Sequence, residues 1–360
     1  MSYNTRAMSS SYLEWAKLYS QATYNLATSG IASYPLSGLP VTVEDLEING
    51  TTIYGYAPLQ ERLASKCGVS TDCVVAANGT SMANHLAMAA VLSPGDEVLV
   101  EMPTYGLLLE VASYLGAKIQ RFDRLMENNF QIDLDEIESK LTSKTRLIVL
   151  TNLHNPSGAF LDETTLTKLG EIAANVGALV MVDEVYLDMV SHPPPRSSFH
   201  LGDNFIITNS LTKAYGLSGI RCGWILAQPE LAKRIWRLSD LFTGTPVHPA
   251  ELLSVIALDN LERVGERARK LLRTNHAALD RFLDEADGLE VFRPVSGTVV
   301  FPRLKEGSVD ELCQRLRAEY ETTVVPGRFF EMPHHFRIGI GGGTAMTRTG
   351  LEQLAKALRA

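Results

Sequence analysis

"TNSLTKAYGLSGIRCGW", residues 208–224, sets one lysine among hydroxyls and glycines, with an arginine eight positions further on. It joins two apolar runs of strand length, "FIITN" (205–209) and "GWILA" (223–227). Working outward, "CVVAA" (73–77), "EVLVE" (97–101), "AKIQRF" (117–122), "RLIVLT" (146–151) and "ALVMVD" (178–183) have the same character. Segments of helical period fall between many of them: "SMANHLAMAAVL", "YGLLLEVASYLG", "LDEIESKL" and "ETTLTKLGEIAANVG". The "SPGD" at 93–96 is a turn signal closing a helix before a strand. Near-continuous Val/Ile/Leu strands alternating with helices predict an α/β fold, a mostly parallel sheet with helices on both faces.

After about residue 246 the pattern changes. A long helical stretch, "ELLSVIALDNLERVGERARKLLRTNHAALDRFLDEADG", precedes short strands ("LEVFRP", "TVVFPRL", "TTVVP", "FRIGI") and two helices. This predicts a large α/β domain over 36–245 and a smaller α+β domain built from 1–35 and 246–360. The "HPPPR" at 192–196 reads as a rigid exposed loop, because another core strand follows it.

The chain has 360 residues, enough for two domains or one large domain with a sizeable core. A hydrophobic fraction of 45% and a charged fraction of 21% are those of a soluble globular protein. The net charge of −8 disfavours nucleic acid and anionic membranes as partners, although a few local arginines can still hold an anion. Cys67, Cys73, Cys222 and Cys313 show neither metal spacing nor CxxC and read as buried or incidental thiols. The N-terminus lacks the apolar core of a signal peptide, and no apolar run approaches the roughly 20 residues that span a bilayer. A cytoplasmic location is the default expectation.

In an open parallel sheet the ligand crevice lies beyond the carboxyl ends of the strands. "NGTS", "MPTYG", "TNLHNPSG", "DEVY" and "SLTK" each follow a predicted strand, so one crevice is lined from many loops. At "NGTSMA", Gly79 permits close backbone approach, and Thr80 and Ser81 offer hydroxyls and free N–H groups: an anion site, or an ordinary helix cap. Ser210 and Arg221 extend the anion reading, since an arginine beside glycines can grip a phosphate in two places. Asp183 ends an apolar strand, where an ionised carboxylate requires a cation, a protonated partner or backbone amides. Tyr186 presents a hydroxyl three residues on, while Glu184 points to the other side. Pyridoxal phosphate accounts for these features together: a phosphate, a pyridine nitrogen, a phenolic oxygen and an aldehyde that needs the amine of Lys213.

With these motifs in place, the sequence resembles the class I/II aminotransferases, pyridoxal-phosphate enzymes of fold type I. "NGTSMA", "PTYG", "NPSG", "DEVYLDMV", "SLTKAYGLSGIRCGW", "PGRFF" and "FRIGI" occur in family order from about residue 25 to the end. The resemblance implies that Lys213 carries the cofactor as an imine and that Asp183 pairs with the ring nitrogen. It places Tyr186 and Asn155 on the ring oxygen and Tyr105 against the ring face. Gly79, Thr80, Ser81, Ser210, Thr212 and Arg221 would surround the phosphate, and Arg337 in "FRIGI" would bind the substrate α-carboxylate. Ser29 and Gly30 would lie in an N-terminal segment over the substrate. Tyr54 is expected to reach the phosphate of a neighbouring subunit, with Tyr56 as the alternative.

The implied activity is a ping-pong transamination between an L-amino acid and a 2-oxo acid, with Lys213 as base at the substrate Cα. A homodimer with shared active sites is expected. A β-lyase, cyclase, decarboxylase or racemase on the same frame is the alternative, since fold does not select among these reactions. A DNA-binding regulator is disfavoured by the acidic charge and by the absence of room for an added basic domain. "TGTPVHPAE" offers Thr243, Thr245 and His248 but no arginine, which favours neutral, aromatic or basic substrates over aspartate or glutamate. No metal is expected, because His334–His335 lacks a third ligand. His154 reads as structural, and "GIGGGT" as a loop after a strand.

Overall fold

The computed structural model describes residues 9–50 and 53–360. Seven strands form the main sheet: β1 Val74–Asn78, β2 Glu97–Met102, β3 Lys118–Asp123, β4 Thr145–Thr151, β5 Leu179–Asp183, β6 Phe205–Ser210 and β7 Cys222–Leu226. Each lies within a residue or two of its predicted run. Their order across the sheet is β1-β7-β6-β5-β4-β2-β3. All neighbours are parallel except at β7, which runs antiparallel to both β1 and β6.

Both faces are buried, which is why the strands read as unbroken apolar runs. On β4, Ile148 and Leu150 enter one core while Leu147 and Val149 enter the other. On β5, Val180 and Val182 oppose Met181 in the same way. The covering helices follow from 3.6-residue spacing and caps: Glu163–Asn175 buries Leu166, Leu169, Gly170 and Ala173, and Asp162 accepts from the Thr165 amide at 2.8 Å.

A third core gathers Leu26, Leu279, Leu312, Leu316, Phe336, Ile338, Leu351 and Leu354. The N-terminal segment belongs to it, because Tyr24–Asn25 pairs in parallel with Thr322–Thr323. The long helical stretch is two helices rather than one, His248–Asp259 and Leu261–Asp284. The break falls at Asn260, whose side-chain amide donates to the Ile256 carbonyl at 2.8 Å, a local bond that competes with helix continuation. As expected, "GIGGGT" leaves the strand Phe336–Gly339 as a loop.

Candidate active site

The reversed direction of β7 positions much of the site. Its amino end lies beside the carboxyl ends of its neighbours, with Cys222 opposite Asn78 and Gly223 opposite Ser210. Arg221, immediately before β7, therefore reaches the same rim as the loops after the parallel strands. Its backbone is left-handed at φ 51°, uncommon outside glycine, and its Nη2 donates to the Asn78 carbonyl at 3.1 Å. Gly79 also sits at positive φ, 75°, and a Cβ there would collide with the Arg221 guanidinium. A Cβ on Gly223 would lie 2.6 Å from the Gly79 Cα. Two glycines thus let an arginine fold against the start of the helix Gly79–Val91, whose first amides have no partners within the helix.

A crevice of about 480 Å³ opens at this rim. Thr80, Ser81, Tyr105, Asn155, Asp183, Tyr186, Ser210, Thr212, Lys213 and Arg221 line it, together with Ser29 and Gly30. Registers explain the convergence: Thr151 pairs with Asp183, and Asp183 with Thr208, so their loops open side by side. Lys213 sits on the short helix Leu211–Tyr215, capped by Ser210, and its Nζ donates to Ser29 Oγ at 2.9 Å. Gly30 packs on that lysine, since a Cβ there would be 3.3 Å from Lys213 Cδ.

Asp183 is 3% exposed. Burial pushes its carboxyl up to about 6, against the opposing effects of the Asn84 amide, the Val185 N–H and the Lys213 charge. Asn84 Nδ2 donates to Asp183 Oδ2 at 2.9 Å, and the Val185 amide to Oδ1 at 3.1 Å. Glu184 does point away, into protein: it accepts from the Ser198 amide at 2.7 Å, and burial pushes it up to about 7.

Arg337 lies in Phe336–Gly339 and is fully buried. It donates to Asn155 Oδ1 at 2.8 Å, Tyr12 Oη at 2.9 Å and the Ala27 carbonyl at 3.1 Å. No carboxylate pairs with it among the described residues, and its Nε has no partner. Tyr12 belongs to the helix Ser11–Leu18, which covers this side of the crevice with Leu13, Trp15 and Ala16. The Tyr12 ring meets Tyr105 edge-on at 5.7 Å and packs on Phe329 and Phe330. Burial opposes ionisation of the Tyr12 phenol, yet the charges of Arg337 and Lys213 leave it below its ordinary value.

Tyr54 and Tyr56 do not line the crevice. Tyr54 is exposed and donates to Asp240 Oδ2 at 2.7 Å, and Tyr56 stacks edge-on against His248 at 5.1 Å. His154 is structural, as expected: fully buried, it bonds Ser157 Oγ at 2.6 Å and the Pro103 carbonyl at 2.9 Å. Sequence reading missed Tyr12, Trp15 and Asn84. Only Asn84 left a signal, a polar residue on the apolar face of "SMANHLAMAAVL".

A larger crevice of about 850 Å³ lies behind the lysine helix. Its buried polar groups satisfy one another, Lys66 and Tyr215 both bonding Asp188 at 2.9 and 3.0 Å. The smaller crevice differs: Thr80 Oγ1, Thr212 Oγ1 and Tyr186 Oη are buried at its walls without partners. Hydroxyls at the helix starts, an arginine, a buried acid and a primary amine together fit a phosphorylated pyridine aldehyde.

The class is that of a fold type I enzyme with a lysine-centred crevice, and the comparisons agree. The model of the aminotransferase class I and II family matches residues 47–358, so the chain belongs to this family of pyridoxal-phosphate-dependent enzymes. Among curated relatives, capreomycidine synthase of Streptomyces vinaceus is 30% identical over 353 residues, covering 94% of this chain and 91% of that protein. The arginine–pyruvate transaminase of Pseudomonas aeruginosa is 27% identical, covering 86% and 84%. The solved structure of a pyridoxal-phosphate-dependent aminotransferase from Streptococcus suis superposes with a TM-score of 0.91 at 28% identity, covering 100% and 98%. Among the described residues no helix is long and apolar enough to cross a membrane, and no group of side chains could hold a metal.

Proposed function

We propose that the chain is an aminotransferase, moving an amino group between an L-amino acid and a 2-oxo acid. The observation that carries this reading is a buried Arg337, without a carboxylate partner among the described residues, bonded to Asn155 and Tyr12 in the wall of the crevice that holds Lys213. A desolvated cation with no counter-charge calls for an anionic ligand. A substrate α-carboxylate supplies one and stays attached through transamination.

Lys213 would hold the cofactor aldehyde, Asp183 the ring nitrogen, and Tyr186 and Asn155 the ring oxygen. Gly79, Thr80, Ser81, Ser210, Thr212 and Arg221 would hold the phosphate, with Tyr105 against the ring. When bound, pyridoxal phosphate supplies an electron-withdrawing ring that stabilises negative charge at the substrate Cα. The Lys213 amine would move the proton at the substrate Cα as general base. Arg337 and Asn155 orient the carboxylate, and Tyr12 and Trp15 keep water from the reacting atoms. Among the described residues, Lys213 and Arg221 are the cationic side chains that line this crevice and Arg337 lies behind its lining residues Asn155 and Tyr12, which leaves no further cation for a second substrate carboxylate. That favours neutral, aromatic or basic amino acids.

The similarity to capreomycidine synthase favours a second reading, cyclisation of an amino acid on the same lysine and acid. A panel of amino donors offered to the holoenzyme with a 2-oxo acid separates the two. A new amino acid, with bound cofactor converted to its amine form by donor alone, supports transfer. Release of a cyclic amino acid with the cofactor unconverted would overturn it.

A homodimer is also proposed. Ile53, Tyr54, Leu241, Phe242 and Val247 are exposed apolar residues, and Val247 shares a pocket with Arg221. Burial of such a patch against a second copy would bring Tyr54 toward that copy's phosphate site. Sedimentation at micromolar concentration is expected to give twice the chain mass, and a monomer would refute this.

A further inference from the structure

Asp183 is not held by backbone alone. The helix Gly79–Val91 carries Asn84, 1% exposed, whose Nδ2 donates to Asp183 Oδ2 at 2.9 Å. The other end of the same amide is fixed by fully buried Thr208, whose hydroxyl donates to Asn84 Oδ1 at 2.5 Å. With its oxygen engaged, the amide turns its N–H₂ toward the acid. The three groups come from three elements: a helix, the end of β5 and the middle of β6.

Asn84 also stands four residues after Thr80, hence on the same helix face and roughly 6 Å along the axis. Thr80 and Asn84 both line the crevice, and Thr80 Oγ1 is buried without a partner. One rigid helix therefore bears the start of the proposed phosphate cradle and the group that aims the acid at its opposite end.

We infer that Asn84 is a positioning residue: held by Thr208, it fixes the orientation of Asp183 and keeps its carboxylate ionised toward the cofactor ring nitrogen. The inference rests on the cofactor placement proposed above. Its physical basis is that an acid deep in apolar surroundings resists ionisation, while a donor aimed at one oxygen favours the charged form. A hydrogen bond to a charged group is worth about 1.5–3 kcal/mol, roughly tenfold to a hundredfold in an equilibrium. Asn84 has no reason to touch substrate, since its amide is spent on Thr208 and Asp183.

The test compares two ligands that form no covalent bond with Lys213: pyridoxamine 5′-phosphate and its analogue with CH in place of the ring nitrogen. Dissociation constants are measured by equilibrium dialysis on wild type, Asn84→Leu and Thr208→Val. Asn84→Leu is expected to weaken pyridoxamine phosphate roughly tenfold or more while moving the carbon analogue less than about twofold. Thr208→Val, which frees the amide without deleting it, should act in the same direction and less. It carries the test alone if the leucine variant does not fold. Equal loss of both ligands would mean that Asn84 only supports the fold, and no loss would mean that Asp183 does not depend on it; either overturns the inference. Failure of the wild type to bind pyridoxamine phosphate would instead refute the proposed function.

Discussion

Replacing Asp183 by Asn is expected to flatten the pH dependence of apoenzyme stability. The folded carboxyl is raised from 3.8 to about 6, chiefly by burial. Between those values the folded chain binds more protons at this site than the unfolded chain does. Stability therefore falls as pH rises through this window, and the penalty is complete above about pH 6. The full displacement is worth about 3 kcal/mol, of which roughly half falls between pH 5 and pH 8. Urea unfolding of cofactor-free protein, followed by circular dichroism at both pH values, measures it. Wild type should lose on the order of 1 kcal/mol more than Asp183→Asn on going from pH 5 to pH 8. Glu184, also raised by burial, to about 7, contributes with the same sign but is common to both proteins and cancels. Equal pH dependence in the two would refute the reasoning, since it would mean that Asp183 titrates alike folded and unfolded.

Lys213→Ala should abolish covalent retention of the cofactor after borohydride reduction and nearly all turnover; a labelled, active variant would exclude it as attachment point and base. Arg337→Met deletes a buried cation that has no counter-charge, so the apoenzyme should hold or gain stability while kcat/KM for amino acids falls roughly a hundredfold, mostly through KM. An unaltered KM would place the carboxylate elsewhere. Gly79→Ala puts a Cβ at a φ of 75° and against Arg221, so pyridoxamine phosphate affinity should fall at least roughly tenfold with a stability loss of about 1–2 kcal/mol. Wild-type affinity would show that the loop readily re-forms. Tyr12→Ala removes a ring packed on Tyr105, Phe329 and Phe330, a local loss of roughly 3 kcal/mol, and limited proteolysis should then cut near the helix Ser11–Leu18. Wild-type resistance would show that the helix docks without it.

The seven core strands and the covering helices between them were legible because burial on two faces writes itself as unbroken apolar runs, and helix spacing as a 3.6-residue period. Extents were less legible after residue 246: one long helix is two, broken at Asn260, where a side-chain hydrogen bond replaces part of the helical pattern, and the runs "LEVFRP", "TVVFPRL" and "TTVVP" form only two-residue strands. Lys213, Asp183, Gly79 and Arg221 were likewise visible, because each breaks its local rule: a lysine among hydroxyls, an acid ending an apolar strand, a glycine at a helix start, an arginine beside glycines. Tyr12 was invisible. An aromatic on a short amphipathic helix looks like any other packing residue until its partner, Arg337, is found 325 positions away.

The sequence by itself determined the alternation of strand and helix, the order of the loops that meet at one rim, and the chemical types available there. Tertiary structure decided the antiparallel course of β7 that brings Arg221 onto the Gly79 helix, the Thr208–Asn84–Asp183 chain, and the cover that Tyr12 lays over Arg337. The physical reason is range. Periodicity and propensity report what a residue does with neighbours a few positions away, whereas hydrogen bonds and charge burial depend on distances that exist only once the sheet has closed.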